Sequence, residues 1–361
     1  MIKKETVREE LRELIFRLCA LPTVSGREID GAQIGALAGD AFDELRCDAV
    51  GNLILVRKCA RENAPRLLLD AHLDEIGMMV SEVCEGGFLR FAPIGGMDPS
   101  VLQAADVYVY GKETLRGVIS STPPHLRTDR DGTLPEIGEM LIDVGAYTKE
   151  ELEALVPVGS AVGFAPVYRE LLGGRILGKS FDDKACAACA IYGVANTPRE
   201  ELAGDVYLLL SRYEETSRLG GVTPAVYAIE PDYAMVIDVN LGRVPDVPKY
   251  ETVELDGGVS LSLSSATDLR LTRRLGALCE QEEIPFVFIA AASSTGTNAT
   301  SVQLIRGGIP TADVGLPLQS MHTPCEVISL ADCESLARLA SAFVCSRALA
   351  EEFCRKEEVL L

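Results

Sequence analysis

The chain has 361 residues, which is enough for two domains, and 47% of them are hydrophobic, so it can bury a sizeable core. Its 54 acidic and 34 basic side chains give a formal net charge of -20, which disfavours nucleic acids and anionic membranes as partners because both repel negative charge. No apolar run follows the first residues, no segment has the roughly 18–20 apolar residues of a membrane helix, and the cysteines are scattered singly. We therefore expect a cytoplasmic protein with free thiols.

The first 71 residues alternate between helical and strand patterns. Apolar positions at helical spacing predict a helix over residues 6–21, which Pro22 ends. Ser25 and Glu28 have the spacing of a capping box and predict a second helix that runs to about Leu45. Apolar runs at 50–56 and 66–71 predict strands. This alternation indicates an α/β domain with a largely buried sheet.

Between residues 76 and 164 the pattern changes to short apolar runs separated by Gly, Pro and Asp turns. These runs predict strands at 88–91, 106–110, 115–119, 140–144 and 161–167. One helix is predicted over 148–155, with Thr148 as its cap. The series of short strands is typical of a small β-barrel-like module. We interpret residues 76–164 as an insertion that divides one α/β domain into residues 1–75 and 165–361.

The α/β pattern returns after Gly173. Helices are predicted over 185–194, 267–283 and 329–352, and another begins at Gly296; strands are predicted at 205–211, 234–238, 285–291 and 309–316.

Polar side chains recur where these predicted strands end. They are His72 and Asp74, Asp182 and Asp183, Glu214 and Glu215, Asp238, and His322. Ligands of open α/β sheets gather at the carboxyl ends of the strands, so these five segments could converge on one site. Two histidines with several carboxylates make up the ligand set of a two-metal hydrolytic centre.

Each of these side chains also has a simpler explanation. Asp182 and Asp183 could cap a helix, the two glutamates could form an exposed pair, and His322 could be a loop residue. Asp238 is harder to explain in this way, because it follows an apolar run in which an unpaired carboxylate would be costly. Five such coincidences in one α/β frame favour a shared site.

The segments that carry these side chains resemble the M42 family of cytoplasmic metallo-aminopeptidases. That family includes the tetrahedral (TET) aminopeptidases, glutamyl aminopeptidases and proteins once described as endoglucanase M. The matching motifs follow the family order and include Thr23-Val-Ser-Gly, Ala71-His-Leu-Asp-Glu-Ile-Gly, Gly178-Lys-Ser-Phe-Asp-Asp-Lys, Glu214-Glu215, Ile237-Asp-Val, Gly296-Thr-Asn-Ala and Met321-His-Thr-Pro-Cys-Glu-Val. The resemblance implies a mixed-sheet, zinc-exopeptidase-like catalytic domain (α/β/α) with an inserted β-barrel-like or PDZ-like oligomerisation domain.

The resemblance also implies a role for each side chain of the site. Two are catalytic, with Glu214 as the general base and Asp74 as the residue that orients His72. Five bind two divalent ions: His72 and Asp238 hold one, Glu215 and His322 hold the other, and Asp182 bridges them ahead of a cis peptide bond. Zinc is the expected metal, with cobalt or manganese as alternatives.

The implied activity is removal of N-terminal residues from peptides that have a free N-terminus, by a homo-oligomer of two to twelve chains. The sequence indicates no substrate-binding residues, and no basic segment supports a preference for glutamyl substrates. The chain departs from the family at Lys184, at Asn298 and at residues 216–221, which affects substrate preference more than chemistry. His125, in the insertion, receives no catalytic role.

Other functions remain open. A deacylase of small N-acyl compounds would use the same residues, and a non-enzymatic scaffold could retain the same fold. The scaffold is disfavoured because every implied ligand and Glu214 are present. A glycosidase is disfavoured because its paired carboxylates need no histidine.

Overall fold

A mixed sheet of eight strands forms the larger part of the computed structural model, which describes residues 4–121, 135–216, 221–245 and 247–354. With strands numbered in chain order, the order across the sheet is β1 (Glu44–Cys47), β2 (Leu53–Arg57), β12 (Asp205–Ser211), β3 (Arg66–His72), β13 (Tyr233–Leu241), β16 (Thr311–Leu318), β14 (Val259–Ser264) and β15 (Phe286–Ala291). The four strands β12, β3, β13 and β16 run parallel to one another and are almost wholly buried. Helices cover both faces, which explains why these strands are apolar on both sides.

The helices fall into two layers around this sheet. One layer contains α1 (Lys4–Cys19), α2 (Gly31–Ala38), α4 (Phe181–Ala195), α6 (Leu269–Gln281), α8 (Leu330–Cys345) and α9 (Arg347–Phe353). The other contains α5 (Val222–Ile229) and α7 (Ala299–Val302). Small residues let α4 approach its neighbours closely, and a Cβ atom at Gly193 would collide with the Ala337 carbonyl of α8.

A closed antiparallel barrel with its own hydrophobic core lies between Gly77 and Phe164. Its strands are β4 (Gly77–Cys84), β5 (Phe88–Ile94), β6 (Asp106–Tyr110), β7 (Thr114–Ile119), β8 (Leu141–Asp143) and β9 (Ala161–Phe164). Thr148 caps α3 (Lys149–Leu155), since its hydroxyl accepts a hydrogen bond from the Glu151 amide, as the sequence predicted. A small sheet of β10 (Arg169–Glu170), β11 (Arg175–Gly178) and β17 (Glu326–Ser329) follows.

The predicted fold class, an α/β protein with a β-barrel-like module, is confirmed. The predicted start of the second helix is wrong. Asp30 caps that helix by accepting a hydrogen bond from the Ala32 amide, whereas the Ser25 amide donates to the Glu75 carbonyl. The helix ends at Ala38, and the chain then forms β1 where the prediction extended the helix.

Two predicted boundaries near the C-terminus are also wrong. The long helix over 329–352 is two helices, because Ser346 leaves helical geometry and its hydroxyl caps α9. The helix expected from Gly296 begins at Ala299, after a loop that reaches the candidate site.

Among the described residues, no helix is both long and apolar enough to cross a membrane. The described part of the chain includes all eleven cysteines and contains no disulfide bond. The motif at 123–126, with His125, and residues 217–220 lie outside the described residues.

Candidate metal centre

The carboxyl ends of the parallel strands bring the predicted side chains to one edge of the large sheet. His72 is the last residue of β3, Glu214 and Glu215 follow β12, Asp238 lies in β13, and His322 follows β16. The start of α4 adds Asp182 to the same place. With Asp74, which lies two residues after His72, all seven side chains predicted for the site come from segments that meet at this edge.

Asp182 lies between the two histidines. Its Oδ1 atom is 3.1 Å from Nε2 of His72, and its Oδ2 atom is 3.3 Å from Nε2 of His322. Nε2 of His322 is also 3.3 Å from Oε2 of Glu215, and Nε2 of His72 is 3.9 Å from Oδ1 of Asp238. The two oxygens of one carboxylate thus face two separate histidine–carboxylate pairs.

Two sets of possible ligand atoms are compact enough to surround a cation. Ligand atoms of His72, Asp182 and Glu215 lie within 4.8 Å of one another, as do those of His72, Asp183 and Asp238. Asp183 is the member of the second set to which the sequence assigned no role. The peptide bond between Asp182 and Asp183 is cis, in agreement with the geometry that the family resemblance implied.

Left-handed backbone conformations occur at non-glycine residues beside the candidate ligands. The φ angles are 58° at Ser180, 65° at Tyr213, 59° at Ser320 and 60° at His322. Such conformations cost on the order of 1–3 kcal/mol each, and they concentrate where a functional arrangement holds them.

Carboxylates and imidazoles in the centre strongly perturb one another. Hydrogen bonds to Asp182 and Glu215 raise the pKa of His322 to about 10. Burial and the charge of Asp182 raise the pKa of Glu215 to about 7. Burial and the charge of Asp183 raise the pKa of Asp238 well above its ordinary value. The carboxylates therefore repel one another, and a divalent cation would relieve that repulsion.

Asp74 holds three groups of the centre in place. Its Oδ1 and Oδ2 atoms accept hydrogen bonds from the backbone amides of Glu214 and Glu215, at 3.2 and 3.4 Å. Its carbonyl oxygen is 3.0 Å from Nδ1 of His72, closer than its carboxylate at 3.6 Å. The carbonyl is therefore the nearer partner of the His72 ring, and the carboxylate mainly positions the glutamate pair.

Glu326 performs a similar task on the other side of the centre, and the sequence assigned it no role. Its Oε2 atom accepts hydrogen bonds from the amides of Phe181 and Asp182, at 2.7 and 3.3 Å, and its Oε1 atom accepts one from the His322 amide at 3.1 Å. Burial and the charge of Asp182 raise the pKa of Glu326, and the three amide donors partly offset that rise. The available signal was an acidic residue at the start of the short strand β17, which follows His322.

A buried ion-pair network lies beneath the centre. The Glu75 carboxylate accepts hydrogen bonds from Lys179 and Ser180, and Nζ of Lys184 lies 3.4 Å away. Burial alone would raise the pKa of Glu75, but the two lysines hold it at about 2. Lys184, a departure from the family pattern, therefore helps to join α4 to the connection after β3.

Asn298, another departure from the family pattern, faces a carboxylate. Its side-chain nitrogen donates hydrogen bonds to Oδ2 of Asp70 at 3.0 Å and to Oγ of Ser211 at 3.1 Å. Burial raises the pKa of Asp70 to about 6. Asn298 lacks the carboxylate that the family has at this position, but Asp70, which lies two residues before His72, places a carboxylate next to it.

A cavity of about 410 Å³ opens onto the centre. Asp182, Glu214, Glu215, Asp238 and His322 line one part of it. The remainder is lined by residues for which the sequence had indicated no role, including Asn240, Leu241, Thr295, Thr297, Asp313 and Met321. Its position makes this cavity the candidate binding site for a substrate.

Comparisons with known proteins agree with this geometry. Residues 51–339 match the family model described as M42 glutamyl aminopeptidase. The lysyl aminopeptidase of Pyrococcus furiosus is 30% identical, and the match covers 92% of this chain and 96% of that protein. The structure of aminopeptidase APDkam598 from the archaeon Desulfurococcus kamchatkensis is similar with a TM-score of 0.87 at 30% identity, covering 98% of this chain and 99% of that one. The TET1 peptidase of Pyrococcus horikoshii, which can assemble into a tetrahedron or a large octahedral shell, is similar with a TM-score of 0.80 at 26% identity, covering 92% and 99%.

Proposed function

Because this chain belongs to the M42 family of aminopeptidases, we propose that it removes the N-terminal residue of peptides at a centre of two divalent metal ions. The observation that carries this proposal is the position of Asp182, whose two carboxylate oxygens face His72 and His322 at 3.1 and 3.3 Å. A carboxylate placed in this way would contribute one oxygen to each ion of a two-metal hydrolytic centre.

The chemistry of the ligand atoms fits such a pair of ions. His72 and Asp238 would hold one ion, and Glu215 and His322 would hold the other. Imidazole nitrogen with carboxylate oxygen is a common ligand set for zinc, and it also accepts cobalt or manganese. When bound, such ions supply Lewis acidity, which polarises a carbonyl group and activates water.

Glu214 is suited to proton transfer at this centre. It lines the cavity beside the ligand Glu215, and its backbone is held by the hydrogen bond from its amide to Asp74. Glu214 takes a proton from the attacking water and later delivers it to the amine that leaves. Asp74 acts as a positioning residue, because it contacts His72 and both glutamate amides.

Assembly and location complete the proposal. The barrel within residues 76–164 would serve oligomerisation, between the two parts of a catalytic domain made of residues 1–75 and 165–361. The shells formed by the related TET1 peptidase support a homo-oligomer for this chain, between a dimer and a dodecamer. Its substrates would be cytoplasmic peptides with a free N-terminus.

The test is hydrolysis of aminoacyl-anilides by metal-free protein to which zinc, cobalt or manganese is added back. Glu214→Gln should keep both ions but lose activity by about 10²–10⁴-fold, because only the proton acceptor is removed. Glu254→Gln, an exposed residue, is the matched control and should behave like the wild type. N-acetylated substrates should resist cleavage, and their hydrolysis would indicate a deacylase instead.

Two further measurements address the ligands and the assembly. A His322→Ala protein that retained both ions would contradict its role as a ligand. A light-scattering mass equal to a single chain would contradict the proposed oligomer.

A further inference from the structure

One carboxylate of the cavity has no part in the proposed chemistry. Asp313 lies in β16, two residues before Gly315, which is paired in register with Asp238 of β13. Residues two apart on a strand face the same side of the sheet, so Asp313 and Asp238 share a face. With a rise of about 3.3 Å per residue, Asp313 lies about 6.6 Å along the strand from the level of Asp238.

The surroundings of Asp313 are polar but not cationic. Its side chain is 3% exposed, and Oδ1 accepts a hydrogen bond from the Thr297 hydroxyl at 2.6 Å. The Ser262 hydroxyl donates a second hydrogen bond, yet burial still raises the pKa of Asp313 to about 6. Among the described residues that line the cavity there is no lysine or arginine. A buried carboxylate without a cationic partner is unfavourable, so a cationic group would bind well there.

We propose that Asp313 selects substrates whose N-terminal residue is lysine or arginine, by pairing with the cationic end of that side chain. This inference rests on the proposed function, because it assigns the side-chain pocket of the same site. The family model is described as glutamyl aminopeptidase, whereas the Pyrococcus furiosus relative is a lysyl aminopeptidase, so membership of the family does not by itself fix the preferred residue.

The dimensions of the site agree with such a pairing. An extended lysine spans five bonds of roughly 1.5 Å, or about 6 Å from Cα to Nζ. That length matches the separation along the strand between Asp313 and the level of the candidate ligands. An apolar side chain of the same length would leave the carboxylate unpaired, and an acidic one would meet repulsion from it.

A purely structural role for Asp313 makes a different prediction. If the residue only anchored the loop through Thr297, then Asp313→Asn would lower activity equally on all substrates. If Asp313 selects a cation, the variant should lose activity on lysyl substrates alone. Thr297→Val is the matched control, since it removes the hydrogen bond but keeps the carboxylate, and it should preserve the preference for lysine.

The experiment compares kcat/KM for lysyl-, norleucyl- and Nε-acetyl-lysyl-anilides, because norleucine is lysine without its ammonium group. The wild type should prefer the lysyl substrate over the norleucyl one by at least about tenfold, and Asp313→Asn should reduce that ratio to about one. A wild type that cleaves norleucyl-anilide as well as lysyl-anilide would overturn the inference and leave the proposed function intact. This comparison needs no variant, so it holds even if Asp313→Asn does not fold.

If no anilide is cleaved, the proposed aminopeptidase activity is refuted, and a binding measurement then tests the role of Asp313 separately. Calorimetry with the Glu214→Gln protein should show tighter binding of lysinamide than of norleucinamide by at least about tenfold. Equal binding of the two amides would overturn the role of Asp313, whatever the activity.

Discussion

Glu326→Gln is the sharpest test of how the centre is held together. Glu326 connects two segments that are remote in sequence, because one carboxylate accepts hydrogen bonds from the Phe181 and Asp182 amides and from the His322 amide. The substitution preserves the size of the side chain. It replaces one acceptor oxygen with an amide group that can only donate, so at least one of the three backbone donors loses its acceptor.

The size of the effect follows from that lost acceptor. A buried donor without an acceptor costs about 1–3 kcal/mol, and a change of about 1.4 kcal/mol is tenfold in an equilibrium constant. Loss of a side chain that orients metal ligands typically weakens metal binding by about 10–100-fold. The neutral glutamine also relieves repulsion with Asp182, which favours the metal-free protein. We therefore expect a loss of metal affinity of about 10–100-fold. The change in the free energy of unfolding should be smaller than the loss in the free energy of metal binding.

The assay is competition for zinc between the protein and a chromophoric chelator, with kcat measured at saturating metal. Glu334→Gln is the control, because Glu334 is also buried, pairs with Arg8 at 2.7 Å and takes no part in the centre. That variant should bind zinc like the wild type. If Glu326→Gln bound two ions with unchanged affinity, the amide contacts of Glu326 would not position the ligands and the reasoning would be wrong.

Three other predictions concern the bridge, the pH dependence and the departure at Asn298. Asp182→Asn should weaken binding of both ions, as measured by metal content after dialysis; the loss of only one would contradict a bridging role. In the metal-free protein, His322 stabilises the fold below pH 6.5 and loses that contribution as the pH rises through about 10. Glu215 is unfavourable to ionise where it is buried, so its ionisation lowers stability as the pH rises from 4.5 through about 7. The stability of the metal-free protein, measured by urea unfolding, should therefore fall between pH 5 and 9. Two equivalents of zinc should remove much of that fall. A flat pH profile without metal would refute these roles of His322 and Glu215. Asn298→Asp should destabilise the protein by placing a second carboxylate beside Asp70. Adding Asp70→Asn should rescue that variant, with a coupling energy of about 0.5–3 kcal/mol measured by chemical denaturation. Additive effects would show that the two residues do not interact.

Much of the architecture was readable from local patterns. Buried strands produced apolar runs in the sequence, and the short strands between turns indicated the barrel, because side-chain periodicity depends on neighbours in the chain. The candidate ligands were visible for a related reason. Each polar residue, such as His72 after its leucine strand or Asp238 within its apolar one, contrasts with the buried segment that carries it.

The local pattern gave the wrong start for the second helix. Ser25 had the sequence of a helix start, but the structure begins the helix after Asp30, because the Ser25 amide is bonded to the Glu75 carbonyl, fifty residues further along the chain. A single sequence carries no signal for such a contact, since nothing in the local periodicity records which distant segment will lie alongside.

The sequence by itself determined the fold class and the candidate ligands, whereas the tertiary structure decided which side chains hold and shape the centre. Glu326 is 145 residues from Phe181, and Asn298 is 228 residues from Asp70, yet each pair is joined by a hydrogen bond. Asp313 likewise looked like one more residue of a buried strand until the register with β13 placed it on the face of Asp238. Partnerships of this kind form only when strands distant in sequence pack side by side, because the free energy that selects them comes from burial and pairing in three dimensions.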